Sequence, residues 1–119
     1  MPLAFYVAYK SKFSYMNSKQ VMNHAADNIR ILAASMVEKA KSGHPGGAMG
    51  GADFINVLYA EYLQYDPQNP KWEGRDRFFL DPGHMSPMLY SQLALIGKFT
   101  LDELNNYASG ALLLRDILK

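Results

Sequence analysis

The chain has 119 residues, 49% hydrophobic and 19% charged, which is enough for one domain and too apolar for an intrinsically disordered one. Twelve basic residues against eleven acidic leave a formal charge of +1, excluding the strong field expected of a nucleic-acid or membrane-surface binder. Cysteine is absent, which excludes a disulfide framework and thiolate-bound zinc and fits a cytoplasmic protein.

The apolar run Pro2–Tyr9 is far short of the ~20 residues of a spanning helix, and it lacks the flanks of a signal peptide. Met16 is itself a possible initiator, so residues 1–15 are read as a non-native or poorly ordered extension. From His24 to Lys41 the apolar residues Ile29, Leu32, Ala33, Met36, Val37 and Ala40 recur at spacings of three and four. That spacing predicts an amphipathic helix with Asn23 as its N-cap and Gly43 as its stop. Pro45 prevents the helix from resuming.

A second helix is predicted from about Met49 to Leu63, burying Phe54 or Ile55, Leu58, Tyr59 and Tyr62. The prolines of Asp66-Pro-Gln-Asn-Pro70 break it. Arg77-Phe-Phe-Leu-Asp81 is short, apolar and bounded by Gly74 and Pro82, and is the one good strand candidate. A third helix follows with Ser86 as N-cap, Pro87 at its first position and Gly97 as its end, its inner face lined by Met88, Leu89, Leu93 and Ile96. Thr100-Leu-Asp-Glu103 reads as a capping box opening a fourth helix to about Tyr107. The expected fold class is α/β, in the order α-α-β-α-α. A lone strand leaves its ladder groups unpaired, so the pattern is that of the edge of a larger domain.

Two segments carry candidate chemistry. Ser42-Gly-His-Pro-Gly-Gly-Ala-Met-Gly-Gly51 holds five glycines in ten residues, and glycine at that density suggests something approaching the main chain closely. His44 lies in this loop between Gly43 and Pro45. From spacing alone a glycine-rich helix connection with an incidental surface histidine fits better, and no phosphate-loop pattern is met. Asp81-Pro-Gly-His84 follows the strand candidate, where α/β sheets bind ligands, although a plain polar turn fits too. His24 is expected to be solvated. Without HxH or HExxH spacing, no metal site is predicted. Arg75-Asp-Arg77 reads as a solvated or ion-paired cluster.

Taken in order, Lys39-Ala-Lys-Ser-Gly-His-Pro-Gly-Gly-Ala-Met-Gly50, Asp66-Pro-Gln-Asn-Pro70, Arg75-Asp-Arg-Phe-Phe-Leu80 and Gly83-His84 resemble the start of the transketolase family. The likeness runs from about His24 to Tyr107 and divides the chain into an extension (1–23), a partial amino-terminal domain (24–107) and a divergent tail (108–119). It implies thiamine-diphosphate-dependent transfer of a two-carbon ketol unit between sugar phosphates, in the pentose phosphate pathway. It also implies a magnesium ion and a homodimer whose active site forms between subunits. By the same resemblance His44 is catalytic and contacts the sugar, and His84 with Gly83 holds the diphosphate side of the cofactor.

The family's metal motif, a Gly-Asp-Gly followed by a distant Asn, has no match, and neither does its pyrimidine-binding domain. The expectation is therefore a truncated transketolase, inactive alone. The alternatives are a non-enzymatic binding module built from the same domain, or a fragment of a related thiamine enzyme such as deoxyxylulose-phosphate synthase.

Overall fold

The computed structural model describes residues 18–107; the expected tail and residues 1–17 of the expected extension lie outside them. Helix α1 (Lys19–Ala40) begins ahead of the predicted Asn23 cap. Ser18 caps it instead, its hydroxyl accepting from Val21 N at 3.3 Å. The intervening residues 19–22 contain no breaker, so the helix runs back to the first good capping side chain. At the other end the left-handed C-cap is Lys41 (φ 52°), whose N–H donates to Glu38 O at 3.2 Å. Gly43 (φ 96°) takes a second left-handed conformation just beyond it. The two together reverse the chain.

Helix α2 (Pro45–Gly50) and helix α3 (Ala52–Val57) join at Gly51, and a π-helical turn (Leu58–Tyr62) continues them. The predicted second helix therefore opens at Pro45 rather than Met49. Proline stops a helix that precedes it but suits the first position of one that follows. Ile55 is buried as expected, whereas Phe54 and Tyr62 are 63% and 69% exposed. The π turn closes with Leu63 N donating to Leu58 O at 2.9 Å. Its extra residue rotates Tyr62 away from the face that strict helical spacing assigns to it.

The predicted strand is absent: the described residues are mostly helical and contain no strand. Residues 77–81 do keep a period of two, with Phe78 and Leu80 half-buried between exposed Arg77, Phe79 and Asp81. What they lack is a neighbour. A strand is a hydrogen-bonded ladder, and alternation supplies only one side of it. The α/β expectation is corrected on that ground.

A 3-10 turn (Gly83–Met85), preceded by a cis Asp81–Pro82 bond, leads into helix α4 (Ser86–Leu95). Its cap is Met85, and Ser86 is buried inside the helix. Gly97 (φ 82°) ends it as expected. Met88 is buried, but Leu89, Leu93 and Ile96 are only half-buried, and Ser91 and Gln92 take the inner positions predicted for them. Ser91 keeps its hydroxyl satisfied by donating to Pro87 O at 2.7 Å. Gln92 Oε1 has no partner among the described residues, a cost of ~1–3 kcal/mol. Helix α5 (Leu101–Tyr107) opens on the predicted capping box: Thr100 N and Oγ1 donate to Glu103 Oε2 at 2.8 and 3.0 Å, and Glu103 N donates to Thr100 Oγ1 at 3.2 Å.

Helix α1 is the spine, packing on α2, α3, α4 and α5. Its buried Ala26, Ile29 and Ala33 meet Ala48, Ala52, Ile55 and Met88 in the main core. Alanine at four of these seven positions lets the helix axes approach closely, while Ile29 and Ile55 each contribute ~1.5–3 kcal/mol of apolar burial. A second cluster of Met36, Tyr90 and Leu104 holds α5 in place. Polar contacts pin the frame: Asn56 Nδ2 donates to Met22 O at 3.1 Å, and Arg30 bridges Asp27 and Asp53, joining α1 to α3. Lys39 Nζ donates to Asn105 O at 2.7 Å, placing a cation at the carboxyl end of α5.

Candidate functional site

The reversal after α1 puts His44 at the N-cap position of α2, with an extended backbone (φ −124°, ψ 122°) and an exposed side chain. His84 sits exposed in the 3-10 turn ahead of α4. The two rings lie 6.2 Å apart between centroids, at an interplanar angle of 89°. Forty residues of sequence separate them, yet they share one face. His24 is exposed on α1 and takes no part in this pairing.

Met85 makes the meeting possible. A Cβ built on Gly47 would stand 3.0 Å from Met85 Cγ and 3.3 Å from its sulfur. One built on Gly51 would stand 2.5 Å from Met88 Sδ and 3.3 Å from Met85 Cε. These two glycines therefore let α2 settle on the Met85–Met88 corner, and the corner carries His84 to His44. Sequence reasoning did not single out Met85. It lies outside every apolar period, and nothing in its neighbours marks it.

The remaining glycines of the two turns behave differently. Around a Cβ built on Gly46, Gly50 or Gly83 no atom lies within 4 Å. Packing does not require glycine there, so the backbone at these points stands open beside the histidines. Such a surface offers imidazole nitrogens beside main chain bare of side chains. A metal finds no equivalent. Among the described residues no three His, Cys, Asp or Glu groups come together.

The Arg75-Asp76-Arg77 cluster is not internally ion-paired. Asp76 clips the loop by accepting from Gln64 N at 2.8 Å, while its own N–H donates to Gln64 O at 2.8 Å. Arg75 Nη1 donates to Trp72 O at 2.8 Å. Near this loop Tyr59 is packed edge-on against Tyr65 and Phe78, and burial pushes its phenol up to about 12. Its ionisation is thus disfavoured in the fold, and stability falls only as pH rises above the ordinary phenol value of 10.0 toward 12. A cleft of about 350 Å³ lies beside this loop and does not include either histidine. We therefore assign the candidate site by the histidine pair and its open backbone rather than by cavity size. No helix of the described residues is long and apolar enough to cross a membrane.

Comparison with known proteins adds to this geometry. The family profile described as "Transketolase, thiamine diphosphate binding domain" matches residues 21–111. The chain is 49% identical to transketolase 1 of Escherichia coli (strain K12) over 83 residues, covering 69% of this chain and 12% of that protein. It is 47% identical to transketolase 1 of Vibrio vulnificus (strain YJ016) over 85 residues, covering 71% of this chain and 13% of the relative. Against the transketolase of Aquifex aeolicus (strain VF5) the identity is 40% over 94 residues, or 78% of this chain and 14% of the other. The chain thus spans only about an eighth of the length of these relatives.

Proposed function

Since the chain belongs to the transketolase thiamine diphosphate binding domain family, we propose that its histidine face is one edge of a site for thiamine-diphosphate-dependent ketol transfer between sugar phosphates. The observation that carries this reading is the 6.2 Å meeting of His44 and His84 beside the open backbone of Gly46, Gly50 and Gly83. When bound, the cofactor supplies the thiazolium carbon at which the ketol carbon–carbon bond is broken and remade.

The chain's own residues then divide the work. His84 donates a ring N–H toward the anionic diphosphate end, and Gly83 keeps that approach free of a side chain. His44 is held at the head of α2 by Pro45, facing the sugar, where an imidazole both hydrogen-bonds a hydroxyl and moves a proton. Magnesium finds no donor set among the described residues. The remaining walls of the site, including the part supplied by a partner subunit, belong to polypeptide beyond these residues.

The test is reconstitution. The 119-residue chain is assayed for glyceraldehyde 3-phosphate with thiamine diphosphate, magnesium and pentose phosphates, alone and with the rest of E. coli transketolase 1 added as a separate polypeptide. We expect no product from the chain alone and measurable product from the mixture. His44→Ala is expected to lower kcat/KM by ~10²–10⁴-fold, the usual worth of a positioned acid–base group. His84→Ala is expected to raise the cofactor requirement about tenfold or more, as the loss of one charge-assisted hydrogen bond does. Product from the chain alone, or a mixture indifferent to both substitutions, would overturn the proposal.

A further inference from the structure

The corner that brings the two histidines together is closed by one thioether. A Cβ built on Gly47 would stand 3.0, 3.3 and 3.6 Å from the Cγ, Sδ and Cε of Met85, and one built on Gly51 would stand 3.3 Å from that Cε. The outer half of the side chain therefore lies along α2. Its neighbour in sequence is His84, whose ring centroid is 6.2 Å from that of His44. Met85 packs against the main core but is only half-buried, within reach of a small solute.

The other described methionines differ. Met36 and Met88 are 4% and 1% exposed and shielded by the core. Met22 meets Asn56 Nδ2 through its sulfur at 3.7 Å, away from both histidines. Met49 is exposed on α2 and joins neither core cluster. Among the described residues, Met85 alone combines solvent access with a contact between the two segments that carry the histidines.

We propose that Met85 is an oxidation site whose state decides whether His44 and His84 meet, with hydrogen peroxide as the oxidant. A sulfur lone pair attacks one peroxide oxygen, and the S–O bond forms as the O–O bond breaks. The sulfur loses two electrons, and the second oxygen takes the proton of the first and leaves as water. A flexible apolar thioether becomes a polar, chiral sulfoxide. The thioether can yield against α2 by a few tenths of an ångström, whereas the new oxygen stands a full bond further out. It is also a strong acceptor, and the core cluster it would face is apolar. The sulfoxide therefore turns out to solvent, α2 loses its seat on the 3-10 turn, and the histidines part. The inference rests on the ring pair itself and holds whatever reaction that face serves.

The test treats the full chain with graded hydrogen peroxide, without cofactor or sugar, so its outcome is separate from that of the reconstitution above. Peptide mass spectrometry gives the sulfoxide fraction at each methionine. Proton NMR follows the cross-peak between the two rings, assigned with His44→Ala and His84→Ala. The cross-peak is expected to fade in step with Met85 sulfoxide and not with Met49 sulfoxide, and methionine sulfoxide reductase should restore it. Met85→Leu should keep the cross-peak under the same peroxide, since it fills the corner and has no sulfur. Met85→Gln, which places a fixed polar group there, should lose it without peroxide while keeping its helical circular dichroism. A cross-peak that survives full oxidation of Met85, or fades equally in Met85→Leu, would refute the proposal. So would a Met85 that stays unoxidised after Met49 is fully converted.

Discussion

The two sides of α2 use the same residue for opposite ends. On the inner side Gly47 and Gly51 exist to admit Met85 and Met88, and a side chain at either has a neighbour within 3.0 Å. On the outer side Gly46 and Gly50 meet nothing within 4 Å. Glycine weakens a helix by ~0.5–1 kcal/mol relative to alanine, so each needs a compensating reason. For the inner pair the reason is visible packing. For the outer pair no reason lies within the described residues, and the ligand site proposed above would supply one. A run of glycines is thus two populations, and burial separates them.

Substitution breaks or sharpens this comparison. The largest effect is expected at Gly51→Val. The nearest atom is the sulfur of Met88, itself 1% exposed and walled into the core, so it has no room to yield. Overpacking of this kind costs ~1–3 kcal/mol, more than the helix propensity regained, and chemical denaturation should show that loss. Gly47→Ala should come out within ~1 kcal/mol of neutral, because Met85 is only half-buried and its flexible thioether can shift by a few tenths of an ångström. Gly46→Ala should leave stability unchanged or raise it by up to ~1 kcal/mol, while weakening thiamine diphosphate binding in the reconstituted assembly. If Gly46→Ala unfolds the chain, or binds the cofactor as well as the parent does, the outer glycines are not the open edge argued above.

The smallest effect lies outside the comparison and serves as its control. The Thr100 backbone N–H, and then the Thr100 hydroxyl, hold the Glu103 carboxyl below its ordinary value of 4.5. A depressed folded pKa stabilises above the unfolded value, and that stabilisation is lost as pH falls through the folded one. Acid titration below about 4.5 should therefore loosen α5 first, read as faster amide exchange at Thr100 and Glu103. Glu103→Gln should blunt the pH dependence, because its amide oxygen still caps. The Gly47–Met85 contact, in the other core cluster, should not respond.

What the sequence determined by itself was local. The stripe Ile29–Ala33–Met36, the capping box at Thr100 and the stop at Gly97 each depend on residues within a few positions of one another, and each is found in the structure. The family was legible for a related reason, since its motifs are short and ordered along the chain. Starts and stops were less secure where one residue type serves two purposes. Pro45 both ends and begins a helix, and the αL position moved from Gly43 to Lys41 because the backbone turns twice there.

Only the tertiary structure decided the rest. It brought His44 to His84 through Met85, a contact made by residues far apart in sequence and invisible to any periodicity. It placed Ser91 and Gln92 inward and left Leu93 on the cleft, against their polarity, because the small hydroxyl can satisfy itself on Pro87 O within the helix. It also withheld the strand. Alternation at 77–81 is a property of one segment and can be read from it, whereas a sheet is a property of two, and no second strand lies among the described residues.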